Sequence, residues 1–225
     1  MQVLTYNVSW KSMVGYHDWK LCNSTDKKNT KYYGVCQNNI LKVIDSVSFD
    51  VIALQEAANY KMLVKKSKTL DKLDFIHHKS GLEDMVTFYS NKLKLISYRV
   101  GEFEIHRPWQ ILFFTDFCFV NLHCGHYSEA VFKNKIKDLL DKINKYYSGR
   151  IILAGDFNYQ IGSSLKIGPY NLHGSTQVIK TCCYNNYSYQ TDYILDTFDL
   201  IKTKTIDTHL ASDHKPIIGI IKNNH

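Results

Sequence analysis

Side chains that could do chemistry recur in this sequence where short apolar runs begin or end. Four runs finish on a polar residue or motif, and two others start directly after one. The polar residues at these junctions are Asn7, Glu56, His123, Asp156, Asn158, Asp192, Asp213 and His214. If the runs are packed strands, their polar ends gather carboxylates, amides and imidazoles at one rim of the fold.

Such a cluster of carboxylates needs a positive partner, because like charges a few Å apart resist joint ionisation. The side-chain oxygens of aspartate, glutamate and asparagine are hard ligands that suit Mg²⁺ or Mn²⁺. Two histidines without cysteines among the polar motifs argue against a structural zinc site. The residue types therefore predict a magnesium or manganese centre.

The elements that must position these residues alternate between strand-like and helix-like spacing. Residues 3–8 predict a strand, and the continuous apolar runs at residues 51–54 and 151–154 predict buried strands. Apolar residues at helical spacing predict helices over residues 35–48 and 132–147. Further strands are predicted at residues 74–78, 85–90, 94–98, 110–115, 117–122, 193–195, 200–205 and 217–221. The pattern is typical of a mixed, strand-rich α/β domain.

Length and composition fit one globular domain. The chain has 225 residues, of which 44% are hydrophobic and 22% are charged. We expect a single domain over residues 1–225, because no repeat, linker or low-complexity run interrupts the sequence. No apolar run approaches the ~20 residues of a membrane helix, and the N-terminus lacks the features of a secretory signal. The six scattered cysteines then indicate reduced thiols in an intracellular compartment, cytoplasmic or nuclear. The alternative is a mature secreted fragment whose signal has been removed.

The charge balance bears on the partner. The chain carries 28 basic and 21 acidic residues, which gives a net charge of +7. A moderately basic protein suits a polyanion such as nucleic acid. Many basic proteins touch neither nucleic acid nor membrane, so charge alone leaves the partner open. We expect a monomer.

The order of the polar motifs resembles the endonuclease/exonuclease/phosphatase superfamily, which includes DNase I-like nucleases and abasic-site endonucleases. The matching motifs are Asn7, Gln55-Glu56, His123, Gly155-Asp156-Phe157-Asn158, Asp192-Tyr193-Ile194 and Ser212-Asp213-His214. They span nearly the whole chain in the superfamily's order. The resemblance implies a DNase I-like fold, a four-layered α/β sandwich of two mixed β-sheets flanked by helices. It also implies a Mg²⁺-dependent phosphoric ester hydrolase, with Mn²⁺ as a substitute.

The resemblance assigns roles to individual residues. Glu56, helped by Asn7, would bind the metal that polarises the scissile phosphate, and Asp213 would lie near a metal or its waters. Asp156 and Asn158 would orient the attacking water or the phosphate oxygens.

The same resemblance assigns the imidazoles. His214 would pair with Asp192 and act on the phosphate or as a general base. His123 would contact the phosphate from the opposite side, although His126, three residues further on, could face the cleft instead.

Substrate-binding residues are predicted from looser signals. Arg107 resembles an arginine that contacts phosphates in some relatives. Trp19 and Tyr33 belong to a lysine- and tyrosine-rich stretch, residues 11–33, that we expect to be a long loop beside the cleft, where aromatic rings can stack bases. A nuclease or nucleic-acid phosphodiesterase is the first hypothesis. The alternatives are a phosphatase or phosphodiesterase for a lipid or small molecule, and a non-catalytic binding protein on the same fold.

Overall fold

The computed structural model describes residues 1–14, 33–182, 189–199, 201–206 and 211–222, without the side chains of residues 33 and 34. Its strands are β1 (Gln2–Asn7), β2 (Val51–Gln55), β3 (Asp74–Ser80), β4 (Glu83–Tyr89), β5 (Leu95–Glu104), β6 (Arg107–Phe114), β7 (Cys118–His123), β8 (Ile151–Asp156), β9 (Ser164–Ile167), β10 (Tyr170–His173), β11 (Asp192–Asp196), β12 (Lys202–Thr205) and β13 (Ile217–Ile220). Its α-helices are α1 (Trp10–Val14), α2 (Tyr33–Asp45), α3 (Tyr60–Lys66) and α4 (Glu129–Asn144).

The strands form two mixed sheets. The first sheet has six strands in the order β12-β13-β1-β2-β4-β3, and the second has seven in the order β5-β6-β7-β8-β11-β10-β9. Each sheet contains one parallel pair, β1 with β2 and β7 with β8. Parallel neighbours need a crossover connection, which contains α1 and α2 for the first pair and α4 for the second.

Alternating side chains of the central strands build three apolar layers. In β1, Leu4 and Tyr6 pack with Ile40 of α2, whereas Val3 lies between the sheets in the same cluster as Ile152 of β8. The outer face of the second sheet packs against α4. Burying a large aliphatic or aromatic side chain contributes ~1.5–3 kcal/mol, so these layers hold the sheets and helices together. The predicted four-layered sandwich is confirmed.

The two parallel pairs bring four strand ends to one rim of the sandwich. The register places Asn7 beside Gln55 at the ends of β1 and β2. It places His123 beside Asp156 at the ends of β7 and β8. Strand β11 runs antiparallel to β8, so its first residue, Asp192, also lies beside Asp156. Strand direction alone therefore gathers the predicted polar junctions.

A ladder of buried polar side chains ties the two sheets together below this rim. Gln55 Nε2 donates to Asn121 Oδ1 at 2.7 Å, and Asn121 Nδ2 donates to Thr87 Oγ1 at 3.0 Å. The Thr87 hydroxyl in turn donates to Gln110 Oε1 at 2.6 Å. All four side chains are fully buried, and a buried polar group left without a partner costs about 1–3 kcal/mol. The ladder therefore favours one alignment of the sheets.

The structure differs from the sequence prediction at several short elements. Residues 11–14 belong to α1 rather than to a loop, and the prediction omitted α3, β9 and β10. Strand β9 buries only alternate residues, Leu165 and Ile167, so it shows no continuous apolar run. Among the described residues, no helix is long and apolar enough to cross a membrane.

The cysteines also depart from expectation. Cys118 and Cys124 are free, buried thiols, but Cys36 and Cys182 are disulfide-bonded. The prediction that all six thiols are reduced is therefore wrong. Spacing along the chain does not report which cysteines meet in space. Because disulfides persist in oxidising environments, cysteine usage no longer supports an intracellular compartment.

Candidate active site

The carboxylate of Asp156 lies at the centre of the polar cluster on the rim. Its Oδ2 atom is 3.1 Å from Asn7 Nδ2. The same oxygen is 3.6 Å from His123 Nε2 and 3.7 Å from His214 Nε2. The Asp156 and His123 side chains are each only 1% exposed. The structure thus brings four of the predicted residues together around one oxygen atom.

Gly155 allows the strands that carry this centre to approach closely. Its φ angle is 149°, and a Cβ atom at this position would lie 1.9 Å from the carbonyl oxygen of Leu122. Any other residue would push β7 and β8 apart at the point where His123 and Asp156 are paired in register. This close approach explains the glycine of the Gly-Asp-Phe-Asn motif.

Glu56 is held from two sides. Its Oε1 atom accepts a hydrogen bond from Asn7 Nδ2 at 3.2 Å, and its Oε2 atom accepts one from the backbone N–H of Trp10 at 2.7 Å. The side-chain oxygen of Asn7 accepts the N–H of Ser9 at 3.0 Å. The amide nitrogen of Asn7 therefore faces both Glu56 and Asp156 and bridges their carboxylates.

Several residues around the cluster adopt a left-handed backbone conformation. Among the described residues, the non-glycine positions with positive φ are Ser9, Glu56, Asn59, His106 and Asn158. Side chains with a Cβ atom rarely adopt this region. Each of these residues belongs to the cluster or lies within a few residues of one that does.

Asp192 and His214 form a buried pair. His214 Nδ1 is 2.9 Å from Asp192 Oδ2, and Asp192 is fully buried. Within the described part of the chain, the second oxygen of Asp192 has no hydrogen-bond partner. Burial alone would lower the pKa of His214, but the carboxylates of Asp192 and Asp156 outweigh it and raise the pKa to about 10. The metal-free imidazole is therefore protonated at neutral pH, with Nε2 directed towards Asp156.

A second carboxylate–imidazole pair includes Glu83, which sequence reasoning missed. Glu83 Oε1 is 2.6 Å from His123 Nδ1, and Glu83 is only 4% exposed. Burial raises the pKa of Glu83, while the neighbouring imidazole opposes the rise. Glu83 is the first residue of β4 and directly follows the turn at Gly81-Leu82. A glutamate at such a position is ordinarily exposed. The local sequence therefore gives no signal of its role.

Asn158 and Arg107 both reach the other nitrogen of His123. Asn158 Nδ2 lies 3.2 Å from His123 Nε2, and Arg107 Nη1 lies 3.1 Å from it. In the neutral tautomer of His123 in which Nδ1–H donates to Glu83, Nε2 accepts hydrogen bonds from these donors. Arg107 is 27% exposed, so its guanidinium approaches from the solvent side.

The remaining predicted residues lie at the margin or outside the described part. Asp213 is partly buried, and its negative charge helps to raise the pKa of His214. His126 is exposed, so His123 is the histidine of the cluster. Tyr33 is the first residue of α2, but its side chain is not among those described, and Trp19 lies outside the described residues. Substrate binding by Trp19 and Tyr33 stays a prediction.

The donor set suits a hard divalent cation. Three residues each offer one ligand atom, and these atoms all lie within 4.8 Å of one another: Asp156, Asp192 and His214. Glu56 adds a carboxylate on the open side, where it lines a cavity of about 180 Å³ together with Trp10 and Arg107. Carboxylate oxygens prefer Mg²⁺ and similar ions, and Asp192 Oδ1, which has no hydrogen-bond partner among the described residues, leaves ligand capacity unused. The residues present therefore fit a divalent metal.

Comparison with known proteins identifies the fold. No protein-family model matches the chain. Uncharacterized protein L684 of Acanthamoeba polyphaga mimivirus is 32% identical over 256 residues, covering 99% of this chain but 51% of L684. The chain therefore spans about half the length of this curated relative.

Solved structures with the same fold include proteins with different activities. An endonuclease/exonuclease/phosphatase from Bacteroides vulgatus has a TM-score of 0.72 at 14% identity, covering 97% of each chain. ANGEL2, a 2′,3′-cyclic phosphatase in complex with adenosine-2′,3′-vanadate, has a TM-score of 0.73 at 14% identity, covering 97% of this chain and 94% of ANGEL2. A mannosyl-6-phosphatase of Bacteroides thetaiotaomicron has a TM-score of 0.67 at 15% identity, covering 98% of each chain. The chain has the endonuclease/exonuclease/phosphatase fold.

Proposed function

We propose that this chain is a divalent-metal-dependent phosphodiester hydrolase that acts on nucleic acid or a nucleotide-containing phosphoester. The observation that carries the proposal is the convergence of two carboxylate–imidazole pairs on one carboxylate. Glu83–His123 and Asp192–His214 both direct Nε2 towards Asp156 Oδ2, at 3.6 and 3.7 Å. A core that only had to pack would not bury this many charged groups, because each is costly to desolvate.

Phosphoryl transfer matches this arrangement, because its rate depends mainly on positioning and on stabilising charge at the phosphoryl oxygens. Asn158 Nδ2 and Arg107 Nη1 would donate to those oxygens, since both already lie next to His123. Glu83 would keep the His123 ring oriented through Nδ1.

The Asp192–His214 pair, next to Asp156, would take part in proton transfer. Asp192 holds Nδ1 of His214, so Nε2, 3.7 Å from Asp156 Oδ2, would be placed to offer a proton to the reacting phosphate. Asp156 would orient the attacking water. Glu56 and Asp156, aligned by Asn7, would hold the cation, with Asp213 as an acidic neighbour, which leaves Asp192 and His214 of the donor set to act as the carboxylate–imidazole pair. When bound, the cation would polarise the phosphate and neutralise charge that develops in the transition state.

Three observations favour a nucleic-acid substrate. The net charge of +7 suits a polyanion. The cavity beside Glu56 is lined by Trp10 and Arg107, residue types that can stack on bases and pair with phosphates. ANGEL2, which shares the fold, is described with an adenosine-2′,3′-vanadate ligand.

The second candidate is a phosphatase for a small molecule or lipid, and the mannosyl-6-phosphatase of the same fold favours it. Such a substrate has no long charged backbone, so its affinity should barely depend on salt, whereas nucleic-acid binding weakens steeply with salt.

The proposal also includes the domain organisation and the oligomeric state: residues 1–225 would form a single catalytic domain that acts as a monomer.

The test is a substrate panel with Mg²⁺ or Mn²⁺. Single-stranded RNA and DNA, duplex DNA, adenosine 2′,3′-cyclic phosphate and soluble sugar phosphates would be incubated with the protein. Asp156→Asn serves as the inactive control, because it keeps the shape of the central side chain and removes its charge. We expect cleavage of a nucleic-acid or nucleotide substrate that the variant does not show. Turnover confined to sugar phosphates would favour the second candidate, and no metal-dependent turnover would contradict hydrolysis.

A further inference from the structure

Thr181 lies beside the Asp192–His214 pair without touching either reactive side-chain atom. It is fully buried, and its hydroxyl oxygen accepts two backbone hydrogen bonds. The donors are the N–H of Thr191 and the N–H of Asp192, both at 3.2 Å. One side-chain oxygen therefore fixes the backbone where β11 begins.

The backbone of the same segment holds the other half of the pair. The carbonyl oxygen of Thr181 accepts the N–H of Lys215 at 2.8 Å. Cys182 forms an antiparallel bridge with His214. Thr181 thus connects, through its side chain, to Asp192 and, through its main chain, to the residue after His214.

The orientation of the Asp192 carboxylate depends strongly on the backbone of Thr191 and Asp192. Its Oδ1 atom has no hydrogen-bond partner within the described residues, and its Oδ2 atom contacts His214 Nδ1 at 2.9 Å and the Thr191 hydroxyl at 3.2 Å. Few side-chain contacts therefore steer the carboxylate independently of the main chain. A shift of the Asp192 backbone moves the oxygen that orients the imidazole.

We propose that Thr181 is a positioning residue for the hydrolytic reaction, acting through the Asp192 backbone on the orientation of His214. This inference rests on the proposed function. Misplacing a catalytic group by about 1 Å can reduce the rate by about 100-fold. Loss of the Thr181 hydroxyl should therefore lower kcat strongly while leaving KM nearly unchanged, because Thr181 is fully buried and its hydroxyl contacts backbone N–H groups.

Thr181→Val is the central variant, since it keeps the branched shape and removes the acceptor for two buried N–H groups. Thr181→Ser keeps the acceptor and should restore most of kcat. Thr197→Val is the matched control at the opposite end of β11. The Thr197 hydroxyl accepts the N–H of Ile151 at 3.0 Å, so this variant also loses a backbone contact but lies far along the strand from Asp192.

We expect Thr181→Val to lower kcat by about 10- to 100-fold with KM within about twofold, and Thr197→Val to keep the parental kcat. If Thr181→Val yields no folded protein, Thr181→Ala and Thr181→Ser carry the same comparison, because both remove the methyl group and only serine keeps the acceptor. A kcat for Thr181→Val within twofold of the parent would overturn the inference. An equal loss in Thr197→Val would also overturn it, because the effect would then be general to the strand.

A second measurement does not depend on turnover. The Nδ1 proton of His214 should give a low-field NMR signal, assigned by its disappearance in His214→Gln. The signal should shift or broaden in Thr181→Val and stay in place in Thr197→Val. An unchanged signal in Thr181→Val would refute the positioning role even if the parent hydrolyses no phosphoester. A parent without turnover would count against the proposed function instead, so the two failures are distinguishable.

Discussion

Replacing Asp192 with asparagine removes one negative charge from the centre of the Asp192–His214 pair and hardly changes the volume. Asp192 Oδ2 lies 2.9 Å from His214 Nδ1, and Asp192 is fully buried. Asparagine at this position can present an N–H group to Nδ1, which favours the wrong tautomer of the imidazole. Asp192→Asn should therefore leave the fold intact and disable His214.

The magnitude follows from the separation and burial of the two charges. Unit charges ~4 Å apart at an effective dielectric constant of about 20 interact by ~4 kcal/mol. Because each 1.36 kcal/mol corresponds to about tenfold in rate, losing the attraction that holds the imidazole in its reactive orientation should lower kcat by up to about 1,000-fold. His214→Ala should cost a similar factor. The double variant should be little worse than either single variant, because groups that act as a unit are not additive.

The assay is kcat and KM on the best substrate of the panel, together with the melting temperature of each variant. Asp196→Asn is the matched control, since Asp196 ends the same strand, is fully buried and accepts a hydrogen bond from Arg150 Nε at 2.9 Å. It should lower the melting temperature and leave kcat near the parental value. Losses for Asp192→Asn and His214→Ala that multiply in the double variant would refute the pairing.

Four further predictions concern the metal, the second imidazole, pH and the core. EDTA should abolish turnover and Mg²⁺ or Mn²⁺ should restore it; full activity after exhaustive chelation would contradict a metal centre. Glu83→Gln should lower kcat by about 100-fold, measured with the melting temperature, because His123 loses its charged partner. In metal-free protein, the contribution of His214 to the free energy of unfolding is fully present below pH 6.5, because its pKa is raised to about 10 by folding. This contribution declines by up to ~1.4 kcal/mol per pH unit as the pH rises towards 10. Urea unfolding at several pH values should show the decline, and His214→Gln should reduce it. Phe132→Ala should lower the free energy of unfolding by about 3–5 kcal/mol while kcat below the melting transition stays unchanged.

The sequence is most informative where burial is continuous. The runs that became β1, β2 and β8 are buried over nearly their whole length, and each ends in the predicted rim. Strand direction then brings Asn7, Glu56 and Asp156 together, because parallel neighbours end at the same edge. His123 and the Asp192–His214 pair were predicted from the order of the polar motifs, which resembles that of the superfamily. These parts of the cluster could be predicted before the structure was known.

The residues that were missed share a physical reason: their environments are built by distant segments. Glu83 is buried against His123, which is 40 positions away in the sequence, and Glu83 Oε1 lies 2.6 Å from His123 Nδ1. Thr181 meets the backbone of Asp192 through a contact across 11 positions. The polar ladder alternates between the sheets, so neither strand alone shows why Gln55 and Asn121 are buried. Local spacing cannot report such contacts.

The left-handed residues around the cluster have a consequence for how this protein could change over generations. Ser9, Glu56, Asn59, His106 and Asn158 each hold a backbone conformation that glycine adopts without strain, and the strain costs of the order of 1–3 kcal/mol per residue. A lineage that retained the sandwich only to bind a partner would gain stability by drifting to glycine at these positions. In this chain all five positions carry side chains, so holding these side chains in a left-handed conformation lowers the stability of the fold.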